Sequence, residues 1–246
     1  MAVAALPLAA SAGIVFEMDQ KIDGPMKMDQ KVKTYVEGDM MRIDMGTMTS
    51  VIMDTAKGEM ISLMPAQKMA MKMDAASLAK MQEMQGQAAK PEAGGEAKIE
   101  ATGKKEKIAG LEAEEYKVES AAGKGTMWIA KDFPKAKEMT EMGKKLTAKM
   151  GKGGAAGNNA AMTEAMEKKG IAGYPVKTDM EVEQGGMKMH VVSTLTSVEE
   201  KAVEADLFKV PEGYNVQDMA AMLGGGAPGG APKAPAVPKA PKATEE

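Results

Sequence analysis

Methionine supplies most of the chemistry this chain has to offer. Of 246 residues, 27 are methionine, against one histidine, one tryptophan and no cysteine. A thioether is a neutral, soft donor that suits Cu(I) and is poorly matched to hard divalent ions. The best chelating run is Met187-Lys188-Met189-His190, and Met69, Met71 and Met73 come next. On a strand, Met187 and Met189 face one way and His190 the other, so one strand does not gather all three donors. A bulge near Gly185-Gly186 would be needed to do so. The same i, i+2 spacing fits a second role better, as an apolar lining. Met26 and Met28, then Met69, Met71 and Met73, then Met187 and Met189 each project from one face of a strand. Met18, Met41, Ile43, Met45, Met53 and Met180 fit the same face. Methionine is unbranched and re-packs easily, so a surface made of it accommodates ligands of variable shape. Trp128, flanked by Met127 and Ile129, is a core anchor that becomes a ligand contact if it faces the same concavity.

Other chemistries are excluded or unsupported. Without cysteine there is no disulfide framework, thiolate zinc site, iron–sulfur cluster, cysteine nucleophile or lipid-modified cysteine. A net charge of -3 with interspersed signs gives no nucleic-acid footprint. Glu112, Glu114 and Glu115 belong to an alternating, solvated pattern, so no acid–base pair stands out and no catalytic residue is assigned. The glycines of residues 151–157 lack a preceding strand and a Lys-Ser/Thr, so they form no phosphate loop. No cofactor is implied. Oxidation of exposed methionines to sulfoxides is a further possibility at Met81, Met84, Met139 and Met142, but their amphipathic spacing favours core packing.

The elements that must position these side chains read clearly. Residues 13–73 alternate apolar and polar residues, with turns at Asp23-Gly24-Pro25 and Glu37-Gly38-Asp39. That is the pattern of an antiparallel meander with one buried face. Strands are expected at 49–54, 59–64 and 67–73, then at 98–108, 112–120 and 125–130. A hairpin is expected at 174–184 and 187–198 around Gly185-Gly186. The period changes at 75–85, where Leu78, Met81 and Met84 suggest a short helix N-capped by Asp74. A second helix is expected over 134–150, with Met139, Met142, Leu146 and Met150 on one stripe. Residues 151–159 read as a flexible break before a third helix over 160–169, and a short helix follows Tyr214.

At the N-terminus, residues 2–10 are small and apolar and lead into Ala10-Ser11-Ala12, the pattern of a signal-peptidase site. The run falls well short of the roughly 20 residues that span a bilayer. Residues 1–12 are thus expected to be the remnant of a signal, and 13–223 a single domain in the periplasm or outside the cell. No transmembrane span is expected. Residues 224–246, built from Gly, Ala, Pro and Lys, form an expected disordered tail.

Several segments carry a family resemblance. They are Thr102-Gly103-Lys104-Lys105 through Gly110, Glu115-Tyr116-Lys117-Val118, Met127-Trp128-Ile129-Ala130-Lys131-Asp132, Gly173-Tyr174-Pro175-Val176-Lys177, and Leu207-Phe208 through Gly213-Tyr214. In that order they resemble a bacterial exported family known as domain of unknown function four-four-one-two, within the LolA/LolB-like lipoprotein-carrier superfamily. The resemblance implies an α+β fold: a curved antiparallel half-barrel of about ten or eleven strands with short helices over its concave face. It also implies a non-catalytic carrier of a lipid, acyl chain or other hydrophobic ligand, with an envelope protein as a possible partner. The alternatives are a Cu(I)/Ag(I) binder using Met187, Met189 and His190, and a structural envelope protein without a ligand.

Overall fold

A computed structural model describes residues 12–25, 27–77, 80, 97–120, 123–150, 154–184 and 187–223. The expected N-terminal signal, the tail and most of the 75–85 helix, with Leu78, Met81 and Met84, lie outside these residues, as does the Gly185-Gly186 turn. Residues 75–77 are helical, and the Asp74 carboxylate accepts hydrogen bonds from the Ser77 amide and hydroxyl. This is the cap expected from Asp74.

Among the described residues, twelve strands form one sheet. The first six are β1 (Gly13–Asp23), β2 (Met28–Glu37), β3 (Met40–Met45), β4 (Thr49–Asp54), β5 (Glu59–Met64) and β6 (Met69–Asp74). They are followed by β7 (Lys98–Ile108), β8 (Leu111–Ser120), β9 (Gly123–Ala130), β10 (Tyr174–Gln184), β11 (Met187–Lys201) and β12 (Asn215–Asp218). The spatial order is β12-β6-β5-β4-β3-β2-β1-β11-β10-β9-β8-β7. Two meanders are therefore joined where β1 pairs with β11, near the middle of the sheet. Every pairing is antiparallel except that of β12 with β6, which is parallel. β12 is also the strand that takes the sheet past the expected ten or eleven. Only Val216 in it is apolar, so no local alternation marks it.

Helix α1 (Ala136–Met150) and helix α2 (Gly154–Lys168) connect β9 to β10, and α3 (Met219–Leu223) closes the described chain. Helix α2 begins inside the segment expected to be a flexible break. The glycines of its first turn are poor helix formers, and packing of Ala161, Met162, Ala165 and Met166 against the sheet holds the helix instead.

Directly opposed residues in a ladder share a face, so the register sorts side chains into two faces. One face buries Ile14, Phe16 and Val36 against Met139 and Met142 of α1, with Met18 and Met41 packed beside them. Farther along, Ile99, Tyr116, Val118 and Met127 meet Ala161, Met162, Ala165 and Met166 of α2. On the opposite face of β3–β6, Ile52, Leu63 and Ala70 are covered by Phe208, Val210 and Tyr214. Arg42 fastens that cover by donating from Nη1 to the Leu207 carbonyl (2.9 Å) and from Nε to Asp44 (2.7 Å).

Candidate functional site

The helix-bearing face collects most of the expected lining. Met41, Ile43 and Met45 on β3 oppose Met53, Val51 and Thr49 on β4. Met60, Ser62 and Met64 on β5 oppose Met73, Met71 and Met69 on β6. Met28 opposes Ile22 across β1 and β2, and Met180 opposes Val191 across β10 and β11. Met189 opposes Val182 and Met187 opposes Gln184 on that same face. Met26 lies outside the described residues.

Burial is graded across this surface. Met53 and Met73 are buried, while Met28, Met41, Ile43, Met45, Met69, Met71, Met180 and Met189 are half-buried and Met187 is exposed. The surface is therefore neither a closed core nor a solvated face.

A polar stripe interrupts it, and no periodicity in the sequence pointed to that stripe. Gln30, Gln20, Ser193 and Thr178 oppose one another in turn across β2, β1, β11 and β10. Gln30 Nε2 donates to Gln20 Oε1 (2.7 Å), and Gln20 Nε2 donates to Ser193 Oγ (3.3 Å). Hydrogen bonding along the row satisfies amides that would otherwise be costly at a half-buried position.

In the register of β9, Trp128 alternates with Met127. Met127 opposes Thr178 and Gly125 opposes Met180, so alternation sends Trp128 to the other side of β9 from Met127. There it lies beneath the Lys177 ammonium, 4.3 Å from the ring centroid, and Lys177 also pairs with Glu106 at 2.8 Å. Trp128 is 8% exposed and belongs to the same buried cluster as Ile14, Phe16, Phe133, Met139 and Met142. Its place is that of a core anchor.

The reverse side of β7–β11 is charged and concave. Lys98, Glu119, Lys124, Glu181 and His190 oppose one another across these five strands, and Asp23 on β1 opposes His190. The result is a ladder of alternating sign. Lys98, Glu119, Lys124, Glu181 and His190, with Glu100, Lys117, Thr126 and Asp179, line a cavity of about 600 Å³. A second cavity of about 570 Å³ opens next to it, against Asp23, Lys188 and Glu183. In the sequence these side chains are simply the polar half of amphipathic strands. Only the pairing of five strands brings them together. Because neighbours along the ladder alternate in sign, the arrangement presents no block of like charge to an ionic ligand.

Gly125 lets β9 and β10 come this close. A Cβ there would lie 2.0 Å from the Asp179 carbonyl oxygen, so no larger residue fits without moving a strand.

His190 Nε2 lies 2.6 Å from Asp179 Oδ1. Met187 and Met189 point to the opposite face, so the three do not converge as a chelate. Among the described residues, no group of His, Asp and Glu side chains is arranged to hold a metal ion. The hydrogen bond to Asp179 raises the His190 pKa above its ordinary 6.5. Slight desolvation opposes this, and the charges of Asp179, Asp23 and Glu181 reinforce it.

A raised folded-state pKa means that the charged form is favoured by folding. The stabilisation is fully present below pH 6.5 and is lost as pH rises through the folded-state value. Since the chain has one histidine, proton NMR should show a single imidazole titration with its midpoint above 6.5. The substitution Asp179→Asn should bring that midpoint back toward 6.5. A midpoint that ignores the substitution would show that Asp179 is not the partner in solution.

A model of the family described as Domain of unknown function (DUF4412) matches residues 15–214. The chain belongs to the DUF4412 family. The DUF4412 match starts in β1 and ends at Tyr214, so it takes in both the methionine face and the charged concavity. No curated protein matches the chain.

Among solved structures, the chain is similar to PNGF-II at 12% identity and a TM-score of 0.39. That likeness covers 83% of this chain, which spans only 31% of the length of PNGF-II. It is similar to a DUF1329 family protein from Desulfovibrio piger at 10% identity and a TM-score of 0.33, covering 82% of this chain and 91% of that one. A LolA superfamily protein from Nitrosomonas europaea is similar at 9% identity and a TM-score of 0.33, again covering 82% and 91%.

Proposed function

We propose that this DUF4412 chain is a non-catalytic binding protein of the bacterial envelope that holds a lipid, acyl chain or other hydrophobic molecule against its methionine face. One observation carries the reading. Half-buried methionine, isoleucine and valine side chains from β1–β6, β10 and β11 share a single face. A surface of that kind has apolar area still to remove from water, and a guest chain removes it. Each buried CH₂ of the guest contributes about 0.8 kcal/mol, offset by the loss of translational freedom and of side-chain mobility. The amide row of Gln30 and Gln20 supplies hydrogen-bonding groups for the polar end of an amphiphile.

Helices α1 and α2 lie on the same face and serve as its cover. Export in the periplasm or beyond fits the Ala10-Ser11-Ala12 pattern. Among the described residues, no helix is long and apolar enough to cross a membrane. The domain is taken as residues 13–223 with a tail at 224–246, and delivery of the guest would require an envelope protein as partner.

The test is a titration with the fluorescent fatty acid cis-parinaric acid, alongside native mass spectrometry of protein taken from its own host. Saturable one-to-one binding and an adduct of lipid mass are the expected results. A bare protein mass with no saturable fluorescence would overturn the proposal.

A further inference from the structure

The four-strand segment β3–β6 contains an arrangement that an apolar lining does not require. Met41 opposes Met53, Met53 opposes Met60, and Met60 opposes Met73. Four thioethers thus form one unbroken row across four strands. The next row on the same face runs Ile43, Val51, Ser62 and Met71, mixing four residue types. Packing alone accepts leucine, isoleucine or valine at such positions, so uniform methionine in one row calls for a reason specific to sulfur.

We propose that Met41, Met53, Met60 and Met73 form a binding site for Cu(I), which takes its ligands from the thioethers of this row. Directly opposed Cβ atoms lie about 5 Å apart in an antiparallel ladder, and each methionine has three rotatable bonds, so three consecutive sulfurs of the row can turn toward one centre. Thioether donors are soft and uncharged, a set that selects Cu(I) over the harder divalent ions. Met53 and Met73 are each 8% exposed, whereas Met41 and Met60 are half-buried. The site is thus shielded on two members and open to entry on the other two.

The end of α1 is fixed beside the row. Lys145 pairs with Asp39 in the β2–β3 turn at 2.7 Å, and Lys149 donates to the Ala56 carbonyl in the β4–β5 turn. The Lys149 Cβ also sits 3.1 Å from where a Cβ would stand on Gly58. Both turns adjoin the strand ends that carry Met41, Met53 and Met60, so the donors hang on braced strand ends. This site is separate from the Met187, Met189 and His190 set, whose members point to opposite faces.

The inference does not depend on the carrier reading, because leucine keeps an apolar lining while removing the donor. Cu(I) is titrated anaerobically into the full-length protein against the chromophoric chelator bicinchoninate. Wild type is expected to withhold one equivalent. The M53L/M60L/M73L variant should lose more affinity than the roughly 10–100-fold that follows from disturbing a ligand's supporting contacts. The M187L/M189L variant should match wild type. The triple variant should still bind cis-parinaric acid if the carrier reading holds, so the two proposals fail separately. Wild type that surrenders all its Cu(I) to the chelator, or a folded triple variant that retains it, would overturn the site. Should the triple variant not fold, M60L alone changes one half-buried position and must still weaken Cu(I) binding.

Discussion

Replacing Phe16 by alanine is expected to lower the unfolding free energy by about 3–5 kcal/mol, a large part of the stability of a typical domain. Phe16 is 3% exposed and lies on β1, the strand that joins the two meanders. Its ring meets Phe133 edge-on at 5.6 Å and Tyr174 at 5.7 Å, and those two rings stack on each other at 4.4 Å. Phe133 lies three residues before α1, its carbonyl accepting from the Ala136 amide, and Tyr174 opens β10, so one side chain ties the sheet junction to the start of the helix cover. Alanine would leave a cavity on the side of a stack whose remaining members are fixed by their own elements. Partial collapse is therefore resisted. Phe16→Leu, which keeps more of the volume, should cost less. Urea unfolding with an unchanged m-value measures both losses. A loss for Phe16→Ala of under about 1.5 kcal/mol would show that the trio does not act as the clamp between sheet and helix.

What could be read from the sequence divides along the range of the interaction. Alternation is local, and it located β5 at Glu59–Met64 and β10 at Tyr174–Gln184 residue for residue. The parallel pairing of β12 with β6 joins Asn215 to Met69 across 146 positions of chain. No period within Asn215–Asp218 announces it. The start of α2 is not legible locally, because Gly154 and Gly157 are poor helix formers and the contacts that hold the helix lie on distant strands.

The site shows the same division. That Met69, Met71 and Met73 share a face follows from the pleat alone. That Met73 stands beside Met60, and Met60 beside Met53, depends on turn lengths and bulges that set the register. The bulge between Pro175 and Lys177 likewise changes how β10 meets β9. Strand assignment by itself therefore did not show which face Trp128 takes. The charged ladder from Lys98 to His190 was invisible for the same reason. Its members are spread over five strands, and each one alone looks like an ordinary solvated residue.

Replacing Ile43 by aspartate is expected to weaken cis-parinaric acid binding by roughly 30- to 1,000-fold, or about 2–4 kcal/mol. Ile43 is half-buried on β3 between Met41 and Met45, with Thr34 and Val51 opposite on the neighbouring strands. An acyl chain lying on this face would lose contact with the isoleucine. It would also have to strip water from a carboxylate with no basic partner in the Thr34, Val51 and Ser62 row. Both effects act on the bound state. Since Ile43 is already partly in water, the cost to folding should be the smaller one, and a thermal melt checks it. Two further variants separate the face from the protein as a whole. Ile43→Leu preserves the apolar surface and should bind within a few-fold of wild type. Lys21→Asp alters an exposed residue on the opposite face of β1 and should leave the affinity unchanged. If Ile43→Asp binds like wild type while remaining folded, the guest does not lie against the methionine face. If Lys21→Asp is the variant that loses binding, the guest occupies the charged side of the sheet.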